Sequence, residues 1–204
     1  MSNFFRALFG SVSLLIVSLI FTFFGVDNMD ASVKFALPHV VAILLVGAFY
    51  WRFCRMRNPY VLKHVLTKQV AFIHFGLMFA LYAVWAMFFP SESFVDDFFN
   101  GTNEQNALKL LTVFILAPIS EELTYRGVMF ESISNIKHNK FMLIVAAIIS
   151  SSVFILYHSQ YEYFSTSVLL FFVGMILCSA RYFSGTLWFS IVLHSFASLC
   201  VLLF

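Results

Sequence analysis

Residues 70–90 read VAFIHFGLMFALYAVWAMFFP, a run of twenty-one without one Asp, Glu, Lys or Arg. A helix rises about 1.5 Å per residue, so about 20 apolar residues cross the roughly 30 Å hydrocarbon core of a bilayer. The run shows no alternation of apolar and polar positions, as a barrel strand would, and an open sheet edge cannot be satisfied in lipid. Working outward, the same reading predicts spans near 8–26, 35–53, 107–130, 141–160, 165–181 and 186–204, seven in all. The expected fold is therefore all-α, a polytopic transmembrane helical bundle with the lipid bilayer as its solvent.

Composition agrees with that reading. Of 204 residues 61% are hydrophobic and 11% charged, with a mean hydropathy of +0.91, whereas a soluble domain carries roughly 25% charged residues. With 28 Phe and so few charges the chain has no polar coat to offer water. A net charge of +2, divided among short loops, excludes nucleic acid as a partner. Cys54, Cys178 and Cys200 are far apart and form no Cys-x-x-Cys pair, so they read as small buried hydrophobes. The first apolar run is long for a signal peptide and reads as a retained span.

Basic residues collect on the cytoplasmic side of a membrane. The second loop holds Arg52, Arg55, Arg57, Lys63 and Lys68 with no acid, while the first holds Asp27 and Asp30 and the third Glu92, Asp96, Asp97 and Glu104. Lys137, Lys140 and Arg181 then join the cytoplasmic loops, with Lys34 and Lys109 as exceptions. The N-terminus is expected inside and the C-terminus outside. No linker, repeat or low-complexity tract divides the chain, so residues 1–204 are read as one membrane-embedded domain.

Ionisable residues inside a span are costly and mark function by default. The fourth span reads Ala117-Pro118-Ile119-Ser120-Glu121-Glu122-Leu123-Thr124-Tyr125-Arg126-Gly127. Glu122 and Arg126 are i and i+4 and share a helix face, so Arg126 can neutralise Glu122. Glu121 is left over, about 100° around the helix, as a candidate general base. The bland alternative is a structural ion pair with Glu121 solvated. The fifth span carries Phe154 and His158 at i and i+4, and the seventh carries His194 and Ser198 at the same spacing. His194, in mid-span, needs a polar partner. His39 and His74 near span ends, and His64 and His138 in basic loops, read as solvated surface.

Glu-Glu-x-x-x-Arg, Phe-x-x-x-His and a His followed four residues later by a small polar residue, in this order on these spans, resemble the CPBP-family intramembrane proteases. That group includes the CAAX prenyl endopeptidases and the bacterial Abi proteins. The resemblance covers about residues 107–204 as a catalytic-motif core; the spans within 1–106 match only in being apolar. It implies an intramembrane endopeptidase acting on membrane-associated or lipidated peptides. In it Glu121 activates water, Glu122 and Arg126 form a supporting pair, His158 holds the water, and His194 with Ser198 stabilises the oxyanion. The position of Ser198 is usually Asn in the prenyl proteases; a serine hydroxyl donates one hydrogen bond and reaches less far. Either the oxyanion site is altered, or Ser195 or a water shares that role, or activity is lost. Phe154 packs against the site. A bacterial inner-membrane location suits so compact a chain.

Other readings stay open. Glu121, His158 and His194 are also three ligand types that suit zinc with an open fourth position, although His-Glu-x-x-His is absent and the resemblance favours water activated by glutamate without a cofactor. No Gly-x-Ser-x-Gly or Gly-x-Gly-Asp motif points to serine or aspartyl chemistry. A non-catalytic membrane immunity or scaffold protein would keep the polar cluster for folding or for a partner's helix. A proton-relay transporter would need repeated halves and paired broken helices, which the sequence lacks. On these boundaries Glu121 and His158 do not converge easily. Either the fifth span extends to about residue 164 or a deep cavity lets them reach each other.

Overall fold

The computed structural model describes residues 29–54, 65–137, 139–158 and 160–204, together with Ser2, Asn3, Phe5, Arg6, Leu8, Phe9, Val12, Ser13 and Val17. Most of the expected first span, with Asp27, Arg55, Arg57, Lys63, His64 and His138, lies outside the described residues. Among those described there is no strand. The helices are α1 (Ala31–Cys54), α2 (Lys68–Phe88), the short α3 (Ser93–Asp96), α4 (103–134), α5 (Lys140–Leu156), α6 (Phe164–Ser184) and α7 (Leu187–Leu203). By length and composition α1, α2 and α6 can each cross a membrane, while α5 and α7 are shorter apolar helices. Large apolar side chains point outward, including Phe72, Met87, Leu156 and Phe164, a surface that only lipid can cover. This is an integral membrane protein with an all-α fold.

Short polar side chains set the helix starts by accepting the first free backbone N–H groups. Asp30 caps α1 through Ser32 N, Thr67 caps α2 through Val70 N, and Asn139 caps α5 through Met142 N at 2.8 Å. Thr102 and Gln105 form a reciprocal capping box at the start of α4. The tight turn between α6 and α7 rests on Gly185, whose φ of 66° is the left-handed conformation that glycine adopts without a Cβ clash.

Helix α4 is not regular. It runs α-helical over Asn103–Leu111, π-helical over Thr112–Leu116, α-helical over Ala117–Glu121, π-helical over Glu122–Phe130 and α-helical over Glu131–Ser134. Wide π turns are rare and tend to occur at functional positions. Pro118 accounts for part of the irregularity, because it cannot donate to the carbonyl of Phe114 four residues earlier. That carbonyl is satisfied from outside the helix: Ser195 Oγ, on α7, donates to Phe114 O at 2.7 Å.

Helix α4 packs against α1, α5, α6 and α7 and is the centre of the bundle. Tyr125, Met129 and Phe130 of α4 pack with Ala146 and Phe154 of α5 and Cys178 of α6. Met78 and Tyr82 of α2, Leu177 of α6 and Leu193 of α7 form a second core. Helices α5 and α6 approach closely at Gly174, where a Cβ would stand 2.7 Å from Ser151 Oγ and 3.1 Å from Ser151 Cα. Small residues permit such backbone contact between helices in lipid. All three cysteines are buried and free.

Two differences from the sequence expectation bear on buried polar groups. Helix α5 stops at Leu156, not near residue 160, and the chain turns there. Arg181 is not a loop residue: it lies in the last turn of α6, 1% exposed, in an ion pair with Glu131 of α4 whose Nε–Oε1 distance is 2.8 Å. A charge this close to an apolar run reads as a loop cation until its partner, 50 residues away, is placed beside it.

Candidate active site

A cavity of about 390 Å³ opens among α1, α4, α5 and α7, and its lining includes Glu121, His158, His194, Ser198 and Phe154. The two adjacent carboxylates have different surroundings. Glu122 is fully buried, and its Oε1 receives Arg126 Nη1 at 2.8 Å and His194 Nδ1 at 2.9 Å. Arg126 is equally buried; it also donates from Nη2 to Gly174 O at 3.4 Å and lies 4.8 Å from the centre of the Phe154 ring. A buried charge without such partners would cost several kcal/mol. Glu121 instead faces the cavity. Its Oε2 stands 3.7 Å from His194 Nε2 and 3.9 Å from His158 Nε2. Both distances are too long for a direct hydrogen bond.

Each imidazole is held by its other nitrogen. His158 lies in the turn after α5, where its Nδ1 donates to the Phe154 carbonyl at 2.8 Å, so in the neutral ring Nε2 is the acceptor. The end of α5 at Leu156 thus resolves the convergence problem: the helix does not extend toward residue 164, and the turn carries His158 to the cavity beside Glu121. His194 places Nδ1 on Glu122 and Nε2 toward Glu121, which is the polar partner its mid-span position demanded. Phe154 packs against both histidines, at 4.4 Å from His158 and 5.8 Å from His194 between ring centres. Ser198 lines the cavity and donates to His194 O at 3.3 Å. Ser195 is occupied with the Phe114 and Ile191 carbonyls. Tyr125, next to Arg126, lines the cavity with a buried hydroxyl that has no hydrogen-bond partner among the described residues.

Two histidines expected on the surface are not there. His39, in the middle of α1, lines the cavity, and its Nδ1 is 2.8 Å from Ser120 Oγ. His74 is 4% exposed and bonded through Nδ1 to Val70 O at 2.7 Å and through Nε2 to Ser179 Oγ at 3.1 Å. The sequence signal for His39 was its neighbour Pro38, since a proline inside an apolar helix marks a disturbed and often functional turn. Among the described residues no group of three His, Cys, Asp or Glu side chains stands at metal-holding spacing.

Residues 103–200 match the family described as Type II CAAX prenyl endopeptidase Rce1-like. A curated Escherichia coli relative, described as an uncharacterized 24.3 kDa protein, is 37% identical over 122 residues, covering 58% of this chain. The chain spans about half of that relative, 54% of its length. No solved structure matches. The segment 103–200, which carries Glu121, Glu122, Arg126, His158 and His194, is thus Rce1-like, similar to the CAAX prenyl endopeptidases among the CPBP intramembrane proteases.

Proposed function

We propose that this protein hydrolyses a peptide bond of a membrane-associated or lipidated peptide, using water activated by Glu121. The observation that carries the reading is the position of Glu121 Oε2, 3.7 and 3.9 Å from two imidazole Nε2 atoms in one cavity. A water about 2.8 Å from Glu121 Oε2 and from His158 Nε2 bridges the two. Glu121 takes a proton from that water, and the oxygen attacks the scissile carbonyl carbon. The C–N bond then breaks as Glu121 returns the proton to the leaving nitrogen, giving a carboxylic acid and an amine.

His158 suits the task of holding the water because its Nδ1 is spent on Phe154 O and Nε2 is left to accept. His194 suits the oxyanion: Glu122 holds its Nδ1, which leaves Nε2 aimed into the cavity as the donor. Arg126 and Glu122 act through His194 and position it. Ser198 contributes less than an asparagine amide would, because its hydroxyl is engaged by the His194 carbonyl. That engagement favours a second reading, a non-catalytic membrane immunity or scaffold protein. The bacterial inner membrane, with the N-terminus in the cytoplasm, is the proposed location.

The test uses the purified full chain and a synthetic farnesylated peptide ending in a CAAX sequence, with products identified by mass spectrometry. Cleavage by the wild type that is lost in Glu121→Gln and unaffected by EDTA is the expected result. Equal profiles for the two proteins in native membranes and with the peptide would leave the scaffold reading; loss of activity to EDTA, restored by zinc, would move the chemistry to a metal.

A further inference from the structure

The site contains a third histidine that the matched segment 103–200 does not include. His39 comes from α1, 81 residues before its partner Ser120, which directly precedes Glu121. Ser120 is fully buried and its hydroxyl donates to Ala117 O at 3.0 Å. A hydroxyl has one proton, and here it is committed to a backbone carbonyl. With that proton kept on Ala117 O, His39 donates from Nδ1 to Ser120 Oγ at 2.8 Å, one of the two tautomers the contact admits. A neutral imidazole protonated on Nδ1 carries its lone pair on Nε2. Ser120 sits on a rigid helix and is itself held, so it sets the ring's direction and tautomer. The Phe35 ring, one turn earlier and edge-on at 5.9 Å, supports the imidazole.

Among the described residues Nε2 of His39 makes no hydrogen bond, while the half-buried ring lines the cavity that also holds Glu121, His158 and His194. The rest of that wall is largely aromatic and aliphatic, including Tyr82, Phe98, Leu170 and Val173. An oriented acceptor in such a wall is suited to a backbone N–H of an extended peptide, a donor every non-proline residue carries and one that apolar walls leave unsatisfied. We propose that His39 Nε2 accepts a hydrogen bond from a substrate main-chain N–H, with Ser120 as the residue that orients it. This deepens the peptidase reading by naming a substrate-contacting residue outside the family segment.

The two nitrogens can be separated by substitution. Asparagine reproduces the Nδ1 position and keeps the bond to Ser120, whereas glutamine reaches the Nε2 position and offers an acceptor there. Binding of a fluorescent farnesylated CAAX peptide is measured by anisotropy with the full chain carrying Glu121→Gln, so that no turnover occurs. Adding His39→Ala is expected to weaken binding about fivefold to tenfold, the worth of one hydrogen bond. His39→Asn is expected to match alanine, and His39→Gln to recover to within about threefold of the parent. Ser120→Ala is expected to weaken binding a few-fold when His39 is present and to add nothing to His39→Ala, since the two act as a unit.

Recovery by asparagine but not by glutamine would reduce His39 to a strut and overturn the proposal. So would equal binding by all variants, or no binding by any. Dependence of binding on His39 in a protein whose wild type cleaves nothing would instead keep the contact and reject the peptidase reading.

Discussion

His194 Nδ1 lies 2.9 Å from Glu122 Oε1, the same carboxylate oxygen that accepts Arg126 Nη1 at 2.8 Å. One fully buried oxygen therefore joins α4 to α7 and aims the second imidazole nitrogen at Glu121. Removing that charge strands Arg126 in the protein interior, where its Nε already lacks a partner among the described residues. Glu122→Gln is expected to cost about 3–5 kcal/mol. In thermal unfolding of the detergent-solubilised protein the variant should melt far below the wild type, and Glu122→Gln combined with Arg126→Met should recover part of the loss. A double variant less stable than the single would refute the pairing.

Ser195 is the serine nearest in sequence to His194, but its hydroxyl covers the Phe114 carbonyl, to which Pro118 cannot donate. Ser195→Ala is expected to lower stability by about 0.6–1.7 kcal/mol, the range for hydrogen bonds between helices in membranes. Peptide cleavage per folded molecule should stay unchanged. A fall in kcat at unchanged melting temperature would instead assign Ser195 to the chemistry.

The backbones of α5 and α6 meet at Gly174, and Gly174 O is also an acceptor for Arg126 Nη2. Gly174→Ala puts a methyl 2.8 Å from Ser151 Cβ and 3.1 Å from its Cα, an overpacking expected to cost about 1–3 kcal/mol. Ser151→Gly relieves the contact with the side chain but not that with the Cα. The double variant should therefore recover only partly in the same melting assay.

Glu92 ties the segment after α2 to the start of α6. Burial alone would raise its pKa, but the Thr166 hydroxyl and the backbone N–H groups of Glu162 and Tyr163 outweigh it, holding the carboxyl below its ordinary value of 4.5. A folded pKa below the unfolded one gives stability that is complete above the unfolded value and lost as the pH falls through the folded value. The wild type should therefore exceed Glu92→Gln in stability at neutral pH, and the gap should close below about 4.5. Hydrogen exchange at the Glu162 and Tyr163 amides, measured against pH, reads the same bonds directly. Amides that exchange alike in both proteins at neutral pH would sink this account.

Part of the site was legible because it is local. Glu122 and Arg126 lie on one helix at i and i+4, so the backbone period brings them together whatever surrounds them. His194 was recognised as needing a partner because an unpaired imidazole in mid-span is costly, yet the partner's identity, Glu122 from α4, was not. His158 was placed on the wrong kind of element: the sequence Tyr157-His158-Ser159-Gln160-Tyr161 has no Gly or Pro to announce a turn, and helix α5 simply ends at Leu156. His39 and His74 read as surface because both lie near the ends of expected spans, where a water-facing and a cavity-facing residue look the same.

The sequence by itself determined that this chain is a helical membrane protein, because uninterrupted apolar runs of span length have no other stable form in or out of lipid. It also determined that one helix carries a paired and an unpaired glutamate, because residue spacing along a helix is a covalent property. Only the tertiary structure decided that His39, Glu121, His158 and His194 surround one cavity, that Ser195 mends α4, and that Arg181 meets Glu131. In a bilayer the lipid face and the packed face of a helix are both apolar, so hydrophobic pattern does not encode how each helix is rotated. That rotation is set by close contacts such as Gly174 against Ser151 and by buried polar pairs whose members lie 50 to 81 residues apart.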